Sequence, residues 1–153
     1  MRDPRYRSPP ADSADEHGLV ARSNFIDAEM AFAAHSQGIF PWYNPGEPIL
    51  WWSPDPRAII PTAAVHTSRS LRKLMRRTNY RLTLDTAFTA VIDYCASCHG
   101  ATWITGEMRQ TYLALHEQGR AHSCELWQDD ELVGGLYGVA LERIYCGESM
   151  FSL

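Results

Sequence analysis

The middle of the chain carries a concentrated basic segment that could contact a polyanion. Seven of the 14 Lys and Arg residues lie between Arg57 and Arg81, and no Asp or Glu occurs between Asp55 and Asp85. A face of one charge sign repels itself unless a polyanion lies against it, and Arg suits bidentate phosphate contacts. We therefore expect a nucleic-acid backbone contact, with an ordinary solvated surface as the alternative. Four of these residues would share one face of a helix over 68–77: Arg69, Arg72, Lys73 and Arg76.

A second candidate is the run Cys95-Ala-Ser-Cys98-His99, which matches the C-x-x-C-H pattern of covalent haem attachment. The pattern is short, and haem is attached outside the cytoplasm, whereas this sequence begins without an apolar secretory segment. Ordinary buried or loop cysteines are the main interpretation, and we expect neither a metal nor a cofactor. A zinc site would need two further ligands, and the available ones have no paired short spacing: His116, His122, Cys124 and Cys146.

Three further features each allow a chemical and a structural interpretation. Trp51 and Trp52 are adjacent, so in an extended segment they face opposite ways, and at least one is available for stacking or for lining a cleft. The glycines of the 134–138 segment indicate either close approach by a ligand or a tight crossing of the protein's own backbone. Glu148 lies among apolar residues at a predicted strand end, where a carboxylate could hold a cation or an amine.

Hydrophobic periodicity places these residues on helices and on a largely antiparallel sheet. A rigid Pro- and Trp-rich loop with short extended pieces covers roughly residues 38–57. The order of the elements indicates an α+β fold. Helices are predicted to begin near Asn24, at Thr67 or Ser68, and near Asp85 and Thr105, with Gly38 and Gly119 as stops. Strands are predicted at 57–60, 80–84, 122–128, 131–141 and 143–147, with a turn at Asp129-Asp130.

Length and composition limit the alternatives. With 153 residues, 45% of them hydrophobic and 21% charged, the chain is one ordinary domain or two small ones and is not mostly disordered. No apolar run is long enough to span a membrane, and the default compartment is the cytoplasm. The formal charge of −4 argues against wholesale coating by nucleic acid. We expect a flexible leader over 1–17, a small N-terminal domain over 18–61 and a partial second domain over 62–153.

Several stretches, taken together and in this order, resemble one family. The chain is similar to leucyl/phenylalanyl-tRNA–protein transferases from about Gly18 to Ser152. The matching stretches are Gly38-Ile-Phe-Pro-Trp-Tyr43, Ile49-Leu-Trp-Trp-Ser-Pro-Asp-Pro-Arg57, Thr102-Trp-Ile-Thr105, His122-Ser123 with Glu125, Leu132-Val-Gly-Gly135 and Cys146-Gly-Glu-Ser-Met-Phe151.

The resemblance implies a bacterial cytoplasmic enzyme. Such an enzyme moves Leu, Phe or less often Met from aminoacyl-tRNA to the N-terminal Arg or Lys of a protein, which marks that protein for degradation. The resemblance also implies an acetyltransferase-like (GNAT-type) second domain, no cofactor, no metal and no membrane partner. The oligomeric state stays open, and we expect a monomer.

The same resemblance implies roles for particular residues. Trp42 and Trp103 would lie beside the aminoacyl-adenosine end, and Glu148 would hold the aminoacyl α-amino group. The apolar pocket for the Leu or Phe side chain would be lined by Leu136, Tyr145 and Met150. The tRNA backbone would be gripped by Arg69, Arg72, Lys73, Arg76 and Arg77.

The sequence departs from the family pattern in three places, of which the first is the leader over 1–17, for which we recognise no counterpart. Residues 22–26 replace a glycine-rich stretch, and the Asp-x-Gln motif to which the family's chemistry is assigned does not occur. Family members continue for roughly another third of their length, which carries that motif. We therefore expect the catalytic pair to lie beyond the chain end and the 153 residues to have little activity alone. The alternatives to a transferase are a non-catalytic tRNA-binding fragment and an inactive remnant.

Overall fold

The computed structural model describes residues 8–76, 79–98 and 102–153, which form two antiparallel sheets and four α-helices. Within these ranges no helix is long and apolar enough to cross a membrane. The arrangement confirms the α+β prediction. The small sheet contains β1 (Leu19–Ser23), β2 (Phe40–Pro41) and β3 (Ile49–Trp52), and the large sheet contains β4 (Tyr80–Leu84), β5 (Ala121–Gln128), β6 (Glu131–Leu141) and β7 (Ile144–Ser152). The helices are α1 (Ala28–His35), α2 (Arg69–Met75), α3 (Phe88–Ser97) and α4 (Gly106–Glu117).

Strand β3 is the centre of the small sheet, because it pairs with β1 on one side and with β2 on the other. Trp51 lies opposite Ala21 and is buried. Trp52 donates its ring N–H to the carbonyl oxygen of Trp42 at 2.7 Å. Alternation along the strand therefore sends the two adjacent tryptophans to opposite sides, as their positions in the sequence predict.

The prediction of a strand over 57–60 is wrong. Ile59 and Ile60 lie in exposed coil and pair with no strand among the described residues. Pro56 and Pro61 flank the segment, and each removes a backbone donor that a sheet ladder would use. The chain forms its strand earlier, at β3, where neighbours exist on both sides.

Helix α1 begins after Asp27, so the predicted start at Asn24 is wrong. The Asp27 carboxylate accepts a hydrogen bond from a backbone amide three residues later at 2.8 Å, as an N-cap does. The preceding residue, Ile26, is buried, and its amide donates to Glu107 of α4 at 3.4 Å. This contact with α4 holds the backbone at Ile26, where a helix that began at Asn24 would have had its first turn. Gly38 follows the helix with a φ of 79°, which agrees with the predicted stop.

The large sheet is a meander with the strand order β4-β5-β6-β7. Asp129 and Asp130, between β5 and β6, both have positive φ (48° and 67°), which suits a two-residue hairpin turn. The predicted turn and the predicted strands over 80–84 and 131–141 are confirmed. Strand β7 is longer than predicted, because its pairing with β6 continues as far as Ser152.

Helices α3 and α4 cover one face of the large sheet. Val91 of α3 and Met108 and Tyr112 of α4 are fully buried, so both helices turn apolar side chains toward the core. The Tyr112 ring packs edge-on against the ring of Tyr137 on β6, with 5.3 Å between centroids. These helices therefore fix the strands that carry the candidate site.

The opposite face of the large sheet is open in the part of the chain that the structure describes. Cross-strand register places four residues in one row across the sheet: Leu84, Cys124, Leu136 and Met150. Leu84 is exposed, and 63% of Met150 is accessible. This row of apolar side chains is thus available to a binding partner.

Helix α2 contributes no buried residue. Its N-cap is Ser68, whose hydroxyl accepts from the amide of Leu71 at 3.1 Å, so the predicted start is confirmed. Leu71, Leu74 and Met75 share a face, yet all three are exposed. Both the apolar and the basic face of α2 are therefore accessible.

Close approach of β7 to β6 explains the glycine at position 138. A Cβ on Gly138 would meet the carbonyl oxygen of Cys146 and come within 2.8 Å of a ring carbon of Tyr145. The close neighbours are the protein's own backbone and a neighbouring side chain. The structural interpretation of this glycine is therefore confirmed.

We expect Gly138→Ala to lower the free energy of unfolding by about 1–3 kcal/mol, because the added methyl overpacks against a backbone atom that cannot rotate away. Urea denaturation followed by circular dichroism measures the change. Gly106→Ala is the control, since a Cβ at that position meets nothing within 4 Å. Equal stability of the two variants would contradict the close approach.

Candidate functional site

A β-bulge between β6 and β7 presents Glu148. Tyr137 lies opposite Ser149 and Gly138 lies opposite Gly147, so Glu148 is an extra residue without a cross-strand partner. Bulges of this kind re-aim a side chain relative to the strand's normal alternation. The Glu148 side chain turns toward α1 and α4, where only 6% of it is exposed.

Both carboxylate oxygens of Glu148 have protein partners. Nε2 of His35, the last residue of α1, lies 2.8 Å from Oε1. The hydroxyl of Tyr112 on α4 donates to Oε2 at 2.6 Å. A carboxylate has about four lone-pair sites, so it keeps acceptor capacity beyond these two contacts. The group is therefore held in place and can still receive another donor.

His35 is buried with both ring nitrogens beside acceptors. Nδ1 lies 2.7 Å from the carbonyl oxygen of Ala31, and because a carbonyl only accepts, Nδ1 carries a proton. Burial acts to lower the pKa of His35, but the hydrogen bond and the charge of Glu148 outweigh burial and raise that pKa. The geometry and the direction of the shift both favour an imidazolium–carboxylate pair.

Two tyrosines complete the surroundings of Glu148. Burial, aided by the nearby carboxylate, raises the pKa of Tyr112 well above its usual value, so its hydroxyl stays protonated and donates. Burial and the same carboxylate also raise the pKa of Tyr137. The buried Tyr137 hydroxyl has no hydrogen-bond partner among the described residues. Among the described residues, the Tyr137 hydroxyl therefore keeps its capacity to form hydrogen bonds.

The three residues predicted to line an apolar pocket lie on β6 and β7. Leu136 and Met150 are directly opposite each other in the register of the two strands. The hydroxyl of Tyr145 donates to the carbonyl oxygen of His122 at 3.0 Å. The structure therefore brings Leu136 and Met150 together on the open face, whereas the Glu148 carboxylate lies on the helix-covered side of β7.

Trp42 and Trp103 lie in two loops that a hydrogen bond connects. Tyr43 follows Trp42, Thr105 closely follows Trp103, and their hydroxyl oxygens are 2.9 Å apart. Trp42 is 50% exposed and packs edge-on against Trp52, with 6.2 Å between ring centroids. Trp103 is partly buried against the core. Trp42 therefore offers the more accessible aromatic surface.

The basic face of α2 forms a single accessible cluster. Arg72 folds back and donates from Nε and Nη2 to the carbonyl oxygen of Thr67, at 3.2 and 3.0 Å. Arg77, the fifth predicted tRNA contact, lies outside the described residues. One shallow depression is lined by the four others, Arg69, Arg72, Lys73 and Arg76, and none of these pairs with a carboxylate within the described ranges.

Asp85 organises two histidines and does not cap α3, so that prediction is wrong. The N-cap is Ala87, and a φ of 57° at Asp85 turns the chain at the end of β4. The Asp85 carboxylate accepts from the amide of Ser123 at 2.8 Å and lies 2.7 Å from Nδ1 of His122. Nδ1 of His116 is 3.8 Å away. Burial acts to raise the pKa of Asp85, but these contacts outweigh burial and lower that pKa.

The four cysteines are free thiols. Cys95 is buried in the core, and burial raises its pKa to about 11, which disfavours the reactive thiolate. No group of three or more His, Cys, Asp or Glu side chains suited to a metal ion occurs among the described residues. His99, the last residue of the C-x-x-C-H pattern, lies outside those residues.

Comparison with known proteins assigns the chain to a family. A family model described as leucyl/phenylalanyl-tRNA protein transferase matches residues 59–153, and the model of its N-terminal domain matches residues 26–55. The chain is 49% identical over 152 residues to the leucyl/phenylalanyl-tRNA–protein transferase of Legionella pneumophila strain Corby, covering 97% of this chain and 68% of that protein. The chain belongs to the leucyl/phenylalanyl-tRNA–protein transferase family.

Two further relatives carry the same name. The Pectobacterium carotovorum strain PC1 transferase is 52% identical over 139 residues, covering 90% of this chain and 59% of that protein. The Azoarcus sp. strain BH72 transferase is 51% identical over 149 residues, covering 94% and 63% respectively. The chain thus spans about three fifths to two thirds of the length of these transferases.

Sequence reasoning missed the two partners of Glu148. Tyr112 reads as a core residue of an amphipathic helix, and His35 reads as an ordinary residue near a helix end. The contact between His35 and Glu148 joins residues 113 positions apart. Only the presence of a histidine in an otherwise apolar helical face could have drawn attention to it.

A second buried carboxylate, Glu125, ties β4, β5 and the turn before α3 together. Its oxygens accept from the hydroxyls of Thr83 and Ser123 at 2.5 Å each and of Thr86 at 2.9 Å. Burial acts to raise the pKa of Glu125, but these hydrogen bonds outweigh it and lower that pKa. Because its partners belong to the protein, this glutamate stabilises the sheet.

We expect Glu125 to contribute stability that acid removes. Since its folded pKa lies below the unfolded value of about 4.3, the contribution is present above that pH and is lost as the pH falls through the folded pKa. Glu125→Gln should lower the free energy of unfolding at pH 7 by roughly 1–3 kcal/mol and flatten its acid dependence. Urea titrations at several pH values, with the exposed Glu117→Gln as control, measure both effects. A wild-type pH profile in Glu125→Gln would contradict this role.

Proposed function

We propose that this chain binds aminoacyl-tRNA and serves the transfer of Leu or Phe, and less readily Met, to proteins with N-terminal Arg or Lys. The observation that carries the proposal is the family match over nearly the whole chain. The transfer takes place in the cytoplasm, where charged tRNA is available, and marks the acceptor protein for degradation.

The reaction suits a protein whose main task is to position two substrates. The aminoacyl ester is already activated, so attack by an amine requires neither ATP nor a metal. The acceptor α-amine attacks the ester carbonyl, a peptide bond forms and the ester C–O bond breaks. The proton that the amine loses ends on the ribose oxygen of the tRNA, which leaves as a hydroxyl. The acceptor α-amine has a pKa of about 7.7–8.0, so a useful fraction of it is neutral at pH 7. Orientation and management of that proton are then the protein's contributions.

Glu148 is the proposed contact for the α-ammonium group of the aminoacyl end. Its carboxylate is buried, oriented by two protein groups and able to accept further hydrogen bonds. A charge-assisted hydrogen bond in such surroundings is stronger than one in water. These properties support the assignment that the family resemblance implies.

An apolar surface of Leu136, Tyr145 and Met150 is proposed to receive the Leu or Phe side chain. Leu136 and Met150 are neighbours across β6 and β7 on the open face of the sheet, and Glu148 belongs to the same strand β7 although its carboxylate lies on the helix-covered side. A surface of this kind disfavours polar side chains by desolvation, but it separates apolar side chains that differ by one methylene only weakly. The accessible Trp42 and the partly covered Trp103 are proposed to lie beside the terminal adenosine.

The basic face of α2 is proposed to contact the tRNA phosphates. Its members are Arg69, Arg72, Lys73 and Arg76, with Arg77 as the next basic residue in the sequence. The face is accessible and unpaired with acids in the described ranges, which favours a sequence-independent backbone contact.

A second candidate function is binding of aminoacyl-tRNA without catalysis of the transfer. The observation in its favour is that Asp-x-Gln occurs nowhere in the 153 residues. Both candidates use the same binding site and differ in turnover. Transfer of labelled Leu or Phe from tRNA to a protein that begins with Arg, measured beside tRNA affinity on one preparation, separates them. Turnover supports the first candidate, and tight binding without turnover supports the second.

We expect Glu148→Gln to weaken binding of phenylalanyl-tRNA by roughly tenfold, because the neutral amide loses the charge-assisted contact with the α-ammonium group. Affinity for uncharged tRNA should stay unchanged. Filter binding measures both, and Glu16→Gln, on an exposed side chain, is the control. Equal loss of charged and uncharged tRNA would remove the assignment of Glu148 to the aminoacyl end.

We expect the double variant Lys73→Glu/Arg76→Glu to weaken binding of all tRNAs alike. If each residue contacts a phosphate, the slope of log K against log salt should become shallower by roughly 1.4–1.8, which corresponds to about 0.7–0.9 per contact. Salt titrations with charged and uncharged tRNA measure the slope. Arg22→Glu/Arg143→Glu changes the net charge equally at exposed residues outside α2 and serves as the control. Identical slopes in the two double variants would contradict a specific role for this face.

A further inference from the structure

We propose that His35 is a positioning residue for Glu148. Its Nε2 holds Oε1 of the carboxylate, so that the remaining acceptor sites of an ionised Glu148 receive the α-ammonium group of the aminoacyl end. The inference rests on the proposed function, in which Glu148 binds that ammonium. His35 touches no substrate in this scheme and acts only through Glu148.

The fold leaves the His35 ring little freedom. Its side chain is 2% exposed, Nδ1 is anchored to the Ala31 carbonyl one helical turn earlier, and Nε2 lies 2.8 Å from Glu148. Helix α1 therefore orients the ring, and the ring in turn orients the carboxylate. Since the partner residue lies in a bulge without a cross-strand neighbour, the carboxylate's direction depends on such side-chain contacts.

His35 also provides a charge that Tyr112 cannot. A buried carboxylate without a counter-charge takes up a proton, and the resulting neutral acid no longer attracts an ammonium ion strongly. Tyr112 contributes a hydrogen bond to Oε2 but no charge. A protonated imidazole at position 35 supplies the counter-charge that favours an ionised carboxylate.

The other titratable groups that face this pair do not titrate between pH 5 and 8. Burial raises the pKa of both tyrosines and of the Cys146 thiol, so these groups stay neutral. Arg57 keeps its positive charge. The groups come from α4 (Tyr112), β6 (Tyr137), β7 (Cys146) and the coil after β3 (Arg57).

The test measures what the α-amino group contributes to binding. Two probes differ only in that group: a phenylalanyl-adenosine amide and its 3-phenylpropionyl counterpart. Isothermal titration of the full chain with each probe gives two affinities, and their ratio is the preference for the amino group. Wild type and the exposed control His17→Gln should prefer the amino probe.

Two substitutions at His35 separate positioning from packing. His35→Asn can keep the contact with the Ala31 carbonyl but cannot reach Glu148, whereas His35→Gln places an amide nitrogen near the former Nε2. At pH 6.5 the Asn variant should lose roughly tenfold in amino-group preference, and the Gln variant should recover part of it. Thermal unfolding checks that both variants are folded.

A measurement on the wild-type chain keeps the test valid if a variant fails to fold. The His35 imidazole, followed by nitrogen NMR, should carry protons on both ring nitrogens. Binding of the amino probe should lower its titration midpoint, because a second cation then shares Glu148. The 3-phenylpropionyl probe should leave the midpoint unchanged.

Three results would overturn the proposal, and they are distinguishable. Equal affinity of wild type for both probes removes Glu148 as the ammonium site, and the proposed role of Glu148 fails together with this inference. Wild-type preference retained in His35→Asn removes the inference alone. Equal loss in the Asn and Gln variants indicates that His35 serves only packing.

Discussion

The buried contact between His35 and Glu148 constrains how the two sheets lie against each other. Helix α1 connects strands of the small sheet, and β7 belongs to the large sheet, so this pair joins the two. Removing one partner of a buried pair costs about 3–5 kcal/mol, because it leaves an uncompensated charge. Weaker contacts reinforce the same junction, among them the hydrogen bond from Arg120 to Glu29 at 2.8 Å. The site is therefore built into the junction between the sheets.

The bulge makes this pairing possible. In a regular strand, side chains alternate, and a residue next to Ser149 would face the side opposite to it. In β7, Ser149 interacts with Cys95 of α3 while Glu148 reaches α1 and α4, so both face the helices. Met150 lies on the open face of the sheet. Because of the extra residue, the same strand also places the Glu148 carboxylate on the helix-covered face. One residue without a cross-strand partner therefore allows β7 to present an apolar side chain on one face and a carboxylate on the other.

Local sequence signals predicted the elements that depend on local interactions. The Asp129-Asp130 turn, the Ser68 and Thr105 caps and the meander followed from turn chemistry, capping and alternation. Predictions failed where a tertiary contact replaced a local one, as when Asp85 bound Ser123 and His122 and left α3 uncapped. Glu148 was recognisable as an acid among apolar residues, but its partners were not, because contacts across 36 and 113 residues leave no local pattern. The roles of the pocket and tRNA-contact residues came from family resemblance, which no periodicity supplies.

The two charged regions of the molecule work under different electrostatic conditions. The basic face of α2 is exposed, so its attraction for phosphates extends over about 8–10 Å and weakens with salt. Glu148 is buried, so its attraction for an ammonium ion is short in range and little affected by salt. In the proposed function, the exposed face would capture any tRNA, whereas the buried carboxylate would respond only to a free α-amino group at the tRNA terminus. Under that proposal, selection among tRNAs by charging state would depend on the buried site, and the overall strength of tRNA binding would depend on the exposed one.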